Sequence, residues 1–391
     1  MSEEGCLLIS DITGYTTYLN ESELEHARDS LGSLLELLIE HTRAPLVLID
    51  LEGDAVFSYA PAGSIRQGQT VLEMIETTYA AFRRALELMI LNTTCTCNAC
   101  RNLPRLDLKF FVHYGTYSVQ TLGTYTRLLG TDVVLIHRLV KNTVAEATGL
   151  RAYAAYTGAA VDALGLADAV SQLPSHAESY EDVGDVRLFV HDMHGVWERK
   201  REEVRIEVRP EEAVLVREFD FPVPPPVLWD FITKPEFRKL MFDADSNDVV
   251  DKQGGRTSSG SAYYCAHGTT IYEHRILDWH PFEQYTTNDT WPVRDVTGPV
   301  TYRLEPRGDG TRLRVLFGRP EGSLVARTAV EQFFKFTVTR VMPKRVAKLR
   351  ERILEELDAM PSGASPVREV DSESIQTAVG ESLASTLAPS E

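Results

Sequence analysis

The apolar run that opens at residue 7 reaches Asp11 and breaks at once into a Thr-Gly turn, the pattern of a short buried strand with a carboxylate at its end. Leu24, Ala27, Leu31, Leu34, Leu35 and Leu38 then recur at three- and four-residue spacing and predict a helix over 22–41. Ser22 followed by Glu25 fits a capping box at its start. Strands are predicted over 46–51 and 55–60, joined by the turn Glu52-Gly53-Asp54. A second helix over 70–92 places Leu72, Ile75, Tyr79, Phe82, Leu86 and Met89 on one face. A strand over 106–113, a helix over 133–142, a strand over 151–156, a short helix over 158–165 and a strand over 186–190 complete a mixed sheet domain.

The pattern then changes. The charged stretch 198–212 reads as a linker with an edge strand, and 214–221 as a strand. The run PVPPP is expected to block any helix before Val227, with a short helical stretch over 229–242. Successive strands follow over 263–265, 270–277, 283–288, 300–305 and 312–317, with the hairpin signature RGDGT at 307–311. A long helix over 325–357 is expected to kink at Pro343. The tail is poor in apolar residues and is expected to be disordered. The expected domains are 1–197, a connector at 198–212, 213–358, and a tail at 359–391.

A length of 391 residues suits two domains, and 43% hydrophobic with 25% charged residues is a globular profile. No apolar run approaches the roughly 18 residues of a membrane helix. The acidic start MSEEGCLLIS has no basic n-region, so no secretory signal is expected, and the expected compartment is the cytoplasm. A net charge of -17 disfavours binding to nucleic acid or anionic membranes. Five cysteines, an odd number, do not make a disulfide framework.

Two constellations carry chemistry. Asp11 ends a strand and Asp54 sits at a Gly-Asp hairpin tip. Two carboxylates converging from two turns suit a pair of Mg²⁺ ions on a polyphosphate, with turn amides receiving phosphate oxygens; ordinary turns fit the same residues. In CTCNACR, Cys95, Cys97 and Cys100 fall within six residues. They suit Zn²⁺ with a fourth ligand from Cys6, His41 or His113; three reduced thiols or a redox-labile pair are the alternatives.

The segments ISDITGYT, LEGDAVFSY, FVHYGTY and LLGTDVVLIHRL resemble, in order and approximate spacing, the class III nucleotidyl cyclase homology domain over residues 7–166. The resemblance implies a ferredoxin-like α+β fold and a head-to-tail dimer with interfacial active sites. It also implies two Mg²⁺ or Mn²⁺ ions on two aspartates, one activating a ribose 3′-hydroxyl and the other holding the triphosphate. Position by position it places Asp11 and Asp54 at the metal aspartates and the backbone of Ile12, Thr13, Gly14, Tyr15 and Thr16 at the phosphate turn. Arg138 falls on the arginine that stabilises the pentavalent phosphate. The sequence departs from that pattern elsewhere. Asp50 replaces the purine-reading lysine, Arg127 falls on the purine-reading Asp or Thr, and Val134 replaces the transition-state asparagine. Asp50 and Arg127 could form a swapped charge pair, whereas Val134 offers no hydrogen bond.

The layout of 207–357, with VPPPVLWDFITKPEFRKLMF, resembles the START-like (polyketide cyclase/dehydrase and lipid-transport) superfamily. That implies a helix-grip fold with a cavity for a hydrophobic small molecule. Trp229, Phe242, Tyr264, Trp279, Tyr285, Trp291 and Phe334 are candidate lining residues or plain core, and His267, Glu273 and His274 candidate polar groups. The reading is a sensor or regulator: a non-cyclising nucleotide- and metal-binding domain coupled through 204–212 to a ligand-binding domain, as a homodimer or with a partner subunit. An active cyclase and a purely structural module are the alternatives.

Overall fold

Strand β1 (Glu3–Thr13) lies inside the first sheet, between two other strands, with Leu7, Leu8 and Ile9 fully buried. Its neighbours explain why the run is apolar on both faces. The remaining strands are β2 (Val47–Glu52), β3 (Ala55–Pro61), β4 (Asp107–Leu122), β5 (Tyr125–Leu129), β6 (Tyr153–Thr157), β7 (Ser175–Tyr180) and β8 (Gly184–Asp192). The order is β2-β3-β1-β4-β6-β8-β7, with β5 paired to the far end of β4. Among the described strand pairs of this sheet, β4–β6 alone is parallel. Two split β-α-β units therefore interleave: β1 and β2 flank β3, and β3 and β4 flank β1. Leu7 and Ile9 join Phe57, Phe111 and Ile136 in one core cluster.

The computed structural model describes residues 2–123, 125–293 and 296–359, in two compact units that meet in sequence at Glu203 and Val204. The expected disordered tail, from 360 on, lies outside the described residues. In the first unit, α1 (Tyr15–Asn20) follows β1, and α2 (Leu24–Thr42) and α3 (Gln69–Asn92) pack together. Then come α4 (Asn98–Asn102) and α5 (Thr131–Leu139). Helix Met193–Glu202 corrects the linker expected from 198: Asp192 accepts the His194 amide and caps it, and Val196 and Trp197 bury.

The second unit is a seven-stranded antiparallel sheet of β9 (Leu215–Phe221), β10 (Ser246–Val250), β11 (Ala262–His267), β12 (Thr270–His280), β13 (Gln284–Thr290), β14 (Thr297–Arg307) and β15 (Gly310–Phe317). It runs as a meander from β10 to β15, with β9 paired beyond β15. The connector forms no edge strand. Its Ile206 and Val208 amides donate to Asp278 Oδ2 and Thr301 Oγ1 instead, at 3.2 and 2.8 Å. The prolines do not delay the next helix to Val227: it runs Pro225–Thr233, because proline at the first helical positions gives up an amide that had no acceptor. Pro235 then starts a separate helix, Pro235–Phe242, so the expected single stretch is two. The long C-terminal helix is interrupted over Phe334–Val338, one turn before Pro343, by a wider π turn. Beyond it Met342, Val346, Leu349 and Ile353 form the buried stripe.

Candidate functional site

Register brings the two acidic residues to one corner. Asp11 is paired with Ala55 on β3 and with Lys109 on β4, and Asp54 directly precedes Ala55. Gly53, at φ 67°, opens the two-residue loop that turns β2 into β3, a conformation that favours glycine. The Ile12 amide donates to the Asp54 carbonyl at 3.1 Å and ties the tip to the end of β1. Burial pushes the Asp11 carboxyl up to about 7, the Asp54 charge adds to this, and the Lys109 ammonium opposes it. Burial likewise raises Asp54 to about 6. Tyr153 also feels the Asp11 charge, and its hydroxyl donates to Asn142 Oδ1 at 2.8 Å. Lys109 Nζ stands 5.3 Å from the Tyr153 ring centroid. Two half-buried carboxyls, both raised by burial and one of them raised further by the other's charge, are a fit for a hard divalent cation, which would replace the protons.

The other residues named by the cyclase resemblance are drawn elsewhere within the chain. Ile12 is buried and its amide is already spent, so it offers no donor to phosphate. The Tyr15 ring is in the core, while Gly14 (φ 88°) caps α1 and Thr16 is exposed. Asp50 accepts its neighbour's amide, Leu51, at 2.8 Å. Arg127 donates twice to Gln120 Oε1 across the β4–β5 pair, at 2.9 and 2.7 Å. The swapped Asp50–Arg127 pair therefore does not form within the chain. Arg138 donates to Asp182 Oδ2 at 3.1 Å, and Val134, one turn before it on α5, is 50% exposed.

Sequence reasoning missed Lys109 and Tyr153. A lone lysine in the apolar strand around LDLKFF was the available signal, but only register sets it opposite Asp11. It also missed the network that fixes α5 to β4. Buried His113 contacts Thr157 Oγ1 at 2.9 Å and Asp132 at 3.3 Å, and Asp132 accepts the Thr116 amide at 2.7 Å.

At the end of α3 the three clustered cysteines meet a histidine that the spacing of the sequence does not single out. His26 Nδ1 lies 3.2 Å from Cys97 Sγ and 3.7 Å from Cys95 Sγ. With Cys100, these four ligand atoms all lie within 4.8 Å of one another. The expected fourth ligands are corrected. Cys6 is sealed in the sheet, its thiol pushed up to about 12 by burial, and His113 is held in the α5 network. His41 lies fifteen residues beyond His26 on the same helix, about 22 Å away at 1.5 Å per residue.

In the second unit the candidate lining residues pack on one another. Trp229 meets Trp279 and Tyr285 edge to face, and Trp291 meets Phe334. Among them Arg238 is fully buried, its guanidinium 4.2 Å from the Tyr263 ring centroid and 4.5 Å from that of Phe242, with a hydrogen bond of 2.7 Å to the Tyr285 hydroxyl. His274 is paired at 2.8 Å with buried Asp289, while Glu273 is taken by Arg275 and His267 packs on Tyr272.

Residues 31–148 match the family described as a protein of unknown function (DUF2652). An uncharacterized protein of Mycobacterium tuberculosis, Rv2561/Rv2562, is 32% identical over 114 residues, which are 29% of this chain and 52% of that protein. The chain thus spans about half the length of the curated relative it matches. Among solved structures, the guanylyl cyclase Cya2 is similar over 49% of this chain and 92% of its own, at 15% identity and a TM-score of 0.37. The adenylyl cyclase CyaB from P. aeruginosa is similar over 49% of this chain and 94% of its own, at 14% identity and a TM-score of 0.36.

Proposed function

We propose that the first unit binds Mg²⁺ or Mn²⁺ through Asp11 and Asp54, and with it the phosphates of a nucleotide, without cyclising that nucleotide. The observation that carries this reading is the shared corner of Asp11 and Asp54, where burial holds both carboxyls far above 3.8 and the Asp54 charge lifts Asp11 further. When bound, the cation supplies charge that a polyphosphate needs. Lys109, beside Asp11, adds a positive charge for the same oxygens. Two residues support the lack of turnover: Val134, which cannot hydrogen-bond a ribose or phosphate, and Arg138, which is occupied by Asp182. The second unit, a meander with a long C-terminal helix, supports a START-like regulatory role, and the proposed whole is a homodimeric regulator.

Titration calorimetry of the full chain with Mn²⁺ and non-hydrolysable ATP and GTP tests the reading, with mass spectrometry for cyclic product from the natural triphosphates. The expected result is metal-dependent triphosphate binding that Asp11→Asn and Asp54→Asn each abolish, and no cyclic product. Cyclic product that vanishes in Asp54→Asn would make the protein a cyclase. No binding at all would end the nucleotide reading.

A further inference from the structure

We infer that His26, Cys95, Cys97 and Cys100 form a closed, tetrahedral Zn²⁺ site that fastens the connection between α3 and β4 to the start of α2. The inference does not rest on the Asp11 and Asp54 reading. Zinc bonds of about 2.3 Å to sulfur and about 2.0–2.1 Å to nitrogen put the edges of a tetrahedron near about 3.6–3.8 Å. The observed His26 separations of 3.2 and 3.7 Å and the 4.8 Å limit on the whole set come close to that size with only small adjustments. All three thiols are free rather than paired as disulfides.

The surroundings are built for thiolates. The Cys100 amide donates to Cys97 Sγ at 3.4 Å, so Cys97 caps α4 with its sulfur, and Thr93 Oγ1 donates to Cys100 Sγ at 3.4 Å. Such outer hydrogen bonds orient metal ligands. Glu23 accepts the Ala99 amide at 3.0 Å and sets the first turn of α4 against the start of α2, the turn that carries His26. Four protein ligands leave no open position, so the role is structural rather than catalytic. The fastening extends toward the turn after Asp11. From α4 the chain passes through Leu103–Arg105, and the Arg105 carbonyl lies 2.9 Å from where a Cβ on Gly14 would stand.

Elemental analysis of the full chain, purified with zinc and without chelator, tests the site together with the absorption spectrum of the cobalt-substituted protein. The expected results are one zinc per chain and the intense visible absorption and thiolate-to-cobalt band of a tetrahedral centre. Cys97→Ser is expected to weaken zinc binding at least about tenfold, while Asp54→Asn keeps it. Because a Cys97 variant could lose metal by misfolding, His26→Cys serves as the second variant. It is expected to retain the metal and shift the cobalt spectrum toward four sulfurs. Substoichiometric zinc, an octahedral cobalt spectrum, a His26→Cys spectrum identical to the parent's, or zinc lost in Asp54→Asn but kept in Cys97→Ser would each overturn the assignment.

Discussion

At Asp11 and Asp54, fold and chemistry oppose one another. Each carboxyl is raised on folding, from 3.8 to about 7 and about 6, so the folded chain holds those protons more tightly than the unfolded chain. Their contribution to stability is complete below the unfolded value and is lost as pH rises through 6 and 7. At pH 8 both are ionised against burial and against each other. Asp54→Asn is therefore expected to stabilise the metal-free protein at pH 8 by on the order of 1–2 kcal/mol, a few degrees in thermal midpoint. At pH 4 the effect should nearly vanish, and saturating Mn²⁺ should reverse the order at pH 8, since on the proposed function only the parent binds it. Thermal scans across that range check this; a variant less stable than the parent at pH 8 without metal would mean the two carboxyls do not repel.

Among the elements, α5 is positioned by one carboxylate. Asp132, in its first turn, accepts from the Thr116 amide and hydroxyl at 2.7 and 2.9 Å and meets His113 at 3.3 Å. Gly115 makes room for it: a Cβ there would stand 2.4 Å from Asp132 Cγ and 2.6 Å from Oδ2. Gly115→Ala must push Asp132 away from its donors on β4, and the expected cost is about 2–3 kcal/mol from overpacking and lost charged hydrogen bonds. Urea unfolding should show a lower midpoint with an unchanged slope. An unchanged midpoint would show that α5 does not depend on this carboxylate. The same helix carries Val134 and Arg138, so its position sets where both face.

Across the whole molecule, excess negative charge is the feature that solution conditions can most readily tune. A net -17 places self-repulsion on the folded state, and exposed ion pairs such as Arg307–Asp220 return little. Raising ionic strength from about 0.01 to about 0.1 M shortens the Debye length from about 30 to about 10 Å. The thermal midpoint is expected to rise by a few degrees over that interval, as read by scanning fluorimetry with a monovalent salt. A falling midpoint would mean that favourable ion pairs outweigh the net charge. No helix among the described residues is long and apolar enough to cross a membrane.

The order of strands and helices around β1, α2 and α3 was legible because periodicity and turn chemistry act over a few residues: the leucine spacing of α2 and the Gly-Asp tip are local signals. So were Asp11 near a strand end and Asp54 at a hairpin tip, as a pair of acids, and the density of Cys95, Cys97 and Cys100. The polar strands β7 (SHAESY) and β10 (SNDVV) were not legible, since an edge strand takes its hydrogen bonds from a neighbour and shows little alternation of its own. Nor was the split at Pro235, where a continuous apolar pattern hides two helices. Lys109 reaches Asp11 only through the register of β4 on β1, and His26 reaches the cysteines across 69 residues through the packing of α2 against α4. Sequence alone supplied the carboxylates and thiols of a kind that suits a cation; tertiary structure decided which groups share a place, His26 among them, because long-range pairing depends on the packing of whole elements and leaves no local trace in the residues it joins.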